Sequence, residues 1–243
     1  MSDTATTASA SDREPRPRPD RPHYRRRDRG GGPHAREAGL ALVVALILAF
    51  LWLRTDTFVT VDNLIVVARQ AALVMIIALG MTFVIATGGI DLSVGSVVAL
   101  SSVATGYWVI EADLPYAVAV LASVATGLLC GLVNGLLITT TRVPPFVITL
   151  GMLGIARGVA LGVTSGSTRT GFGPSFLYLG QGAWLGIPIP VWTVAVLAIL
   201  AHVVLTRTTL GRNVFFVGSN EAAAELSGIR VARVKLFVYA VCG

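Results

Sequence analysis

Between residues 39 and 205 the chain returns repeatedly to uninterrupted apolar runs, at 39–53, 71–87, 92–110, 115–138, 146–164 and 191–205. Runs of this length approach or reach the roughly 20 residues a helix needs to cross a hydrocarbon core about 30 Å thick. A seventh run opens near Val234 and stops at Gly243, too short to cross, so the chain reads as a fragment or its last helix as incomplete. Charge agrees: 13% of the 243 residues are charged, against about 25% in an ordinary soluble domain. The pattern predicts an all-α fold, a polytopic transmembrane helix bundle of six crossings plus an incomplete seventh.

Two domains follow from where the charge sits. Residues 1–39 hold nine of the nineteen basic and six of the thirteen acidic side chains. Alternating Arg and Pro, a Gly triplet and almost no apolar content predict a disordered tail over 1–38, with the membrane domain at 39–243. The second run is able to extend back to Leu64 if Arg69 and Gln70 snorkel or pair. Placing the tail in the cytoplasm puts Arg142, Arg207, Arg212, Arg230, Arg233 and Lys235 on the same side and Asp56, Asp62, Glu111 and Asp113 on the other, with Arg54 and Arg169 as exceptions. That asymmetry predicts a multi-pass protein with its N-terminus inside, a long cytoplasmic loop at 206–233 and a long outer loop at 165–190.

Several chemistries are excluded. Cys130 and Cys242 lie in apolar stretches, which gives neither a disulfide framework nor a metal motif. Only His202 lies in the membrane part and only Asp91 is a deep carboxylate, so embedded hydrolysis lacks its groups and no metal site is expected. The net charge of +6 belongs to the tail and loops without aromatic interleaving, which argues against nucleic acid.

The informative residues interrupt the apolar pattern. Gly127, Gly131 and Gly135 recur every fourth position, as do Gly154, Gly158 and Gly162; each triplet predicts a smooth ridge for close helix packing. In ATGGIDLSVGS, residues 86–96, Gly88 and Gly89 end one helix, and Asp91 or Ser93 caps the next. Such a break is either a substrate or ion site at membrane depth or a cytoplasmic turn. Arg157 falls near mid-depth and calls for a structural partner or a water-filled path. Asn134, Thr149, Ser93 and the backbone at Gly88 and Gly89 are the hydrogen-bonding groups an uncharged polyhydroxyl solute needs along its path. In the stretch 208–235, Ser219 or Asn220 caps a two-turn helix that Gly228 terminates, too short to stand alone in water, which predicts that it docks on a protein surface.

The stretches TGGIDLSVGS (87–96), TRVPPFVITLGMLGIARG (141–158) and GRNVFFVGSNEAAAELSGIRVARVK (211–235), in this order, resemble the ribose- and xylose-type permease subunits of bacterial ABC importers. The resemblance implies a type II ABC importer permease-like bundle in the plasma membrane, the cell inner membrane, that forms a translocation path for a monosaccharide. It implies as partners a second permease subunit in a homodimer, cytoplasmic ATP-binding subunits and an extracytoplasmic sugar-binding protein. The chain itself is then no enzyme and holds no cofactor, ATP and Mg being bound on the partner, in keeping with its lack of a Walker motif. Gly218, Asn220, Glu221, Ala222, Ala223, Glu225 and Gly228 look like the family's ATPase-coupling loop. Family members run longer, so about the last third is expected to be missing. A secondary transporter, or an ABC permease for a nucleoside or another small polar solute, is the competing reading.

Overall fold

The computed structural model describes residues 33–243 apart from Arg142 and Arg169, and the side chains from Glu37 onward. The expected tail therefore lies, over residues 1–32, outside the described residues. Two units are distinguished, 1–55 and 56–243. The first contains helix α1, Pro33–Arg54, which begins six residues ahead of the expected Gly39. Its described side chains are exposed, and the Arg54 guanidinium lies over the Phe50 ring at 5.7 Å.

The second unit is a helix bundle. It comprises α2 (Val61–Ala86), α3 (Val94–Gly106), a π-helical turn (Tyr107–Glu111), α4 (Tyr116–Thr140), α5 (Pro145–Thr164), α6 (Pro174–Gln181), the strands β1 (Ala183–Trp184) and β2 (Ile187–Pro188), α7 (Ile189–Arg207), α8 (Thr209–Ser219), α9 (Glu221–Leu226) and α10 (Val231–Cys242). Six helical stretches among the described residues are long and apolar enough to cross a membrane: α1, α2, α3 with its π turn, α4, α5 and α7. These are the six runs read from the sequence.

Three differences have local causes. Helix α2 starts ten residues ahead of Ala71 because the Thr60 hydroxyl accepts the Asn63 amide at 3.4 Å, and Arg69 finds its partner in the Gln181 carbonyl at 2.5 Å. The stretch 165–190 is not plain loop. Pro174 opens α6, and β1 pairs antiparallel with β2 across Leu185 and Gly186, both at positive φ, as a two-residue hairpin turn requires. The stretch 206–233 is largely helical: the Thr208 hydroxyl caps α8 through the Gly211 amide at 3.1 Å, and Gly211, Val214 and Val217 bury one face.

Helices α2, α4, α8, α9 and α10 converge at one end of this unit, where Phe83, Val84, Ile138, Val214, Ala224 and Tyr239 form the main core cluster. A smaller cluster, Val97, Met152 and Ala156, joins α3 to α5. The expected ridge on α4 is present: a Cβ at Gly131 would run into the Tyr239 carbonyl and one at Gly127 into the Gly243 carbonyl, so α10 lies directly on the α4 backbone. The ridge on α5 is a correction. Helix α5 packs through Thr149, Met152, Ala156 and Ala160, while Gly154, Gly158 and Gly162 lie on its other side and meet nothing within 4 Å.

Candidate functional site

The break between α2 and α3 is built from its glycines upward. The Gly89 amide donates to the Val84 carbonyl at 3.0 Å and the Gly88 amide to Ile85 at 2.9 Å, with Gly88 at φ +73°, a Schellman ending that satisfies the last carbonyls of α2. The chain then turns through Ile90 and Asp91 into α3. Ser93 stands at the N-cap but its side chain does not cap. Instead Asp91 Oδ1 accepts both the Ser93 amide at 2.8 Å and the Ser93 hydroxyl at 2.6 Å.

Two neighbouring helices lock onto this turn. From α4, Asn134 Nδ2 donates to Ser93 Oγ at 3.0 Å. From α5, Thr149 Oγ1 accepts the Leu92 amide at 3.2 Å and donates to the Pro145 carbonyl at 3.1 Å. Asp91, Ser93, Asn134 and Thr149 are between 0% and 3% exposed, so the polar cluster is sealed. None of the four lines the apolar groove of about 610 Å³ between α2, α3, α4, α7 and α10. Hydrogen bonds to a charged acceptor contribute about 1.5–3 kcal/mol each, enough for Asp91 to fix the direction in which α3 leaves the turn. Asn134 Oδ1 is buried and has no partner among the described residues.

Sequence reasoning missed Tyr239. It is 1% exposed, donates its hydroxyl to the Ile90 carbonyl at 3.3 Å and closes the cluster from α10. A buried tyrosine hydroxyl needs a partner. A tyrosine within the otherwise apolar start of the seventh run was the available signal.

The second set of residues lies against the first. A Cβ at Gly218, in the last turn of α8, would run into the Ala86 carbonyl and touch Thr87, so α8 ends flush on the last turn of α2. Asn220 then caps α9 through the Ala223 amide at 3.0 Å. The Ile229 amide closes the helix onto the Ala224 carbonyl at 3.0 Å, with Gly228 at φ +80°. Ala224 is the one fully buried residue of α9, while Glu221, Ala222, Ala223 and Glu225 are exposed and Leu226 is 91% exposed. Lys235 pairs with Glu221 at 2.6 Å and ties α9 to α10. Arg157 joins neither set: it is exposed on α5 and has no polar partner among the described residues.

Buried polar side chains that join α3, α4 and α5 within a bundle of membrane-length helices define a multi-pass helical membrane protein. The model for "Branched-chain amino acid transport system / permease component" matches residues 63–243, and the chain belongs to that family.

Relatives among curated proteins bear out the resemblance read from the three motifs. The ribose import permease protein of Escherichia coli strain K12 is 38% identical over 206 residues, 83% of this chain and 64% of that protein. The ribose import permease protein of Bacillus subtilis strain 168 is 37% identical over 203 residues, 83% of this chain and 62% of that one. The D-allose transport system permease protein of Escherichia coli strain K12 is 34% identical over 206 residues, 84% of this chain and 63% of that one. The chain thus spans 62% to 64% of the length of these relatives. No solved structure matches it.

Proposed function

We propose that this chain is the membrane-spanning permease subunit of an ATP-driven importer and forms, with a second permease subunit, the path for a monosaccharide delivered by an extracytoplasmic binding protein. ATP and Mg belong to cytoplasmic partner subunits in this reading. The names of the relatives support the substrate class. The observation that carries the reading is α9, a capped two-turn helix with one buried residue and an otherwise exposed surface, directly after α8, whose Gly218 rests on the last turn of α2. A surface helix of this length is marginal by itself, so a docking partner explains both its exposure and its two caps.

The charge at the two bundle ends supports one orientation. Arg207, Arg212, Arg230, Arg233 and Lys235 cluster around α8 and α9, and Asp62, Glu111 and Asp113 at the ends of α2, the π turn and α4 that lie opposite. In this reading α9 is cytoplasmic and α6 with its hairpin faces outward, and the basic residues of the tail argue, by the same charge rule, for a cytoplasmic N-terminus. The turn at Gly88–Ser93 serves here as a cytoplasmic hinge that receives the movement of α9, and the buried Asp91, Ser93, Asn134 and Thr149 hold its shape. Arg157, exposed on α5, is left as the candidate for the translocation path.

The test is association with the ATPase subunit. Ala223 is exposed and takes part in the two ends of α9 only through its backbone amide and carbonyl, so Ala223→Trp leaves the chain's own packing intact and obstructs only a partner. Copurified ATPase at matched membrane abundance is expected to fall at least fivefold; undiminished association with normal transport-coupled hydrolysis would remove α9 from the coupling role.

A further inference from the structure

We infer that the pocket between α8 and the start of α10 is a binding site for a phosphate-bearing anion. This inference is independent of the transport reading. The pocket is an open depression of about 450 Å³ whose polar lining is Arg230, Arg233, Thr209 and Ser227, all exposed, and the half-buried Asn213, with no acidic residue among its walls. Neither arginine is ion-paired among the described residues; the acidic neighbour Glu221 is committed to Lys235 outside the pocket.

The electrostatics of this corner are unbalanced. Arg230 is the N-cap residue of α10 and Arg233 lies in its first turn, so two guanidinium groups flank the positive end of the helix dipole. The first turn of α10 holds no acidic residue and its N-cap makes no side-chain bond. An anion in the pocket would meet both arginines and the helix end together. The donors suit phosphate: two planar guanidinium forks for bidentate contact, with the Asn213 amide and the Thr209 hydroxyl both without a partner among the described residues. A carboxylate fills two such directions, whereas a phosphate with three free oxygens uses more of them.

The same chemistry comes from two sources, the headgroup of an anionic lipid and a free phosphate. The position favours a headgroup, because basic pockets beside membrane helices at the cytoplasmic boundary are where such groups lie. The purified chain in neutral detergent is titrated with phosphatidylglycerol and with phosphatidylcholine under native mass spectrometry, and separately dialysed against radiolabelled inorganic phosphate. Three variants accompany it: Arg230→Gln with Arg233→Gln; Arg207→Gln with Arg212→Gln, which removes the same charge outside the pocket; and Arg230→Lys with Arg233→Lys, which keeps the charge. Melting curves establish that each is folded.

Wild type is expected to retain phosphatidylglycerol over phosphatidylcholine, with about a tenfold loss in the pocket glutamine pair, less than twofold in the charge-matched pair, and partial recovery in the lysine pair. Saturable inorganic phosphate binding that shows the same variant pattern without lipid preference assigns the site to a free phosphate. Retention of neither anion, or equal losses in both glutamine pairs, overturns the inference.

Discussion

Replacing Asp91 probes the turn at its most connected atom. Asp91 Oδ1 accepts two hydrogen bonds from Ser93, which is itself 1% exposed and held by Asn134. Asp91→Ala leaves a buried amide and a buried hydroxyl without that acceptor, and each orphaned group costs about 1–3 kcal/mol. The variant is relieved of the expense of burying a carboxylate, so the net loss is expected near 2–4 kcal/mol. Asp91→Asn keeps an oxygen in the same place for both donors and is expected to cost under about 1.5 kcal/mol. The assay is reversible unfolding of the reconstituted protein in graded denaturing detergent, where about 1.4 kcal/mol is a tenfold change in the folded ratio. Both variants are expected to insert normally, and transport at matched abundance is expected to fall further for Ala than for Asn. Equal stability of Ala, Asn and wild type would refute the claim that this carboxylate sets the turn.

Two further predictions concern glycines in opposite surroundings. Gly131→Leu is expected to cost about 3 kcal/mol or more by forcing α10 off the α4 backbone, while Gly158→Leu, with open space at its Cα, is expected to leave the unfolding midpoint of the isolated chain within about 0.5 kcal/mol; a thermal melt of each separates them. Gly228→Val is expected to cost about 1–2 kcal/mol, because a β-branched residue is ill suited to φ +80°. That cost falls on α9 alone, so ATPase association is expected to drop with little change in overall melting.

The number and order of the membrane-length helices were legible because crossing a membrane demands long apolar runs, and this signal does not depend on tertiary detail. The caps at Gly88, Asn220 and Gly228 were equally legible, since each follows from local backbone geometry. What the sequence left hidden are associations between segments far apart in the chain. Nothing local says that Gly218 rests on Ala86, or that Tyr239 reaches Ile90 across 149 residues. The two glycine triplets show the same limit: they have identical spacing, yet one meets α10 and the other meets nothing in this chain. The amphipathic α8 was passed over because only its buried face, Gly211, Val214 and Val217, distinguishes it from a polar connector, and that face has meaning only once α2 and α10 are beside it. Arg69 carries the same lesson, since its partner is a backbone carbonyl in a segment read as loop.

The reading of this chain as part of an ATP-driven importer meets its most direct test in proteoliposomes that hold the complete permease with its ATPase subunits and enclose ATP, with the purified binding protein and radiolabelled ribose outside. Uptake is expected to require both the enclosed ATP and the binding protein, and to persist when a protonophore collapses the proton gradient. Uptake that continues without ATP and stops when the gradient is collapsed would contradict it.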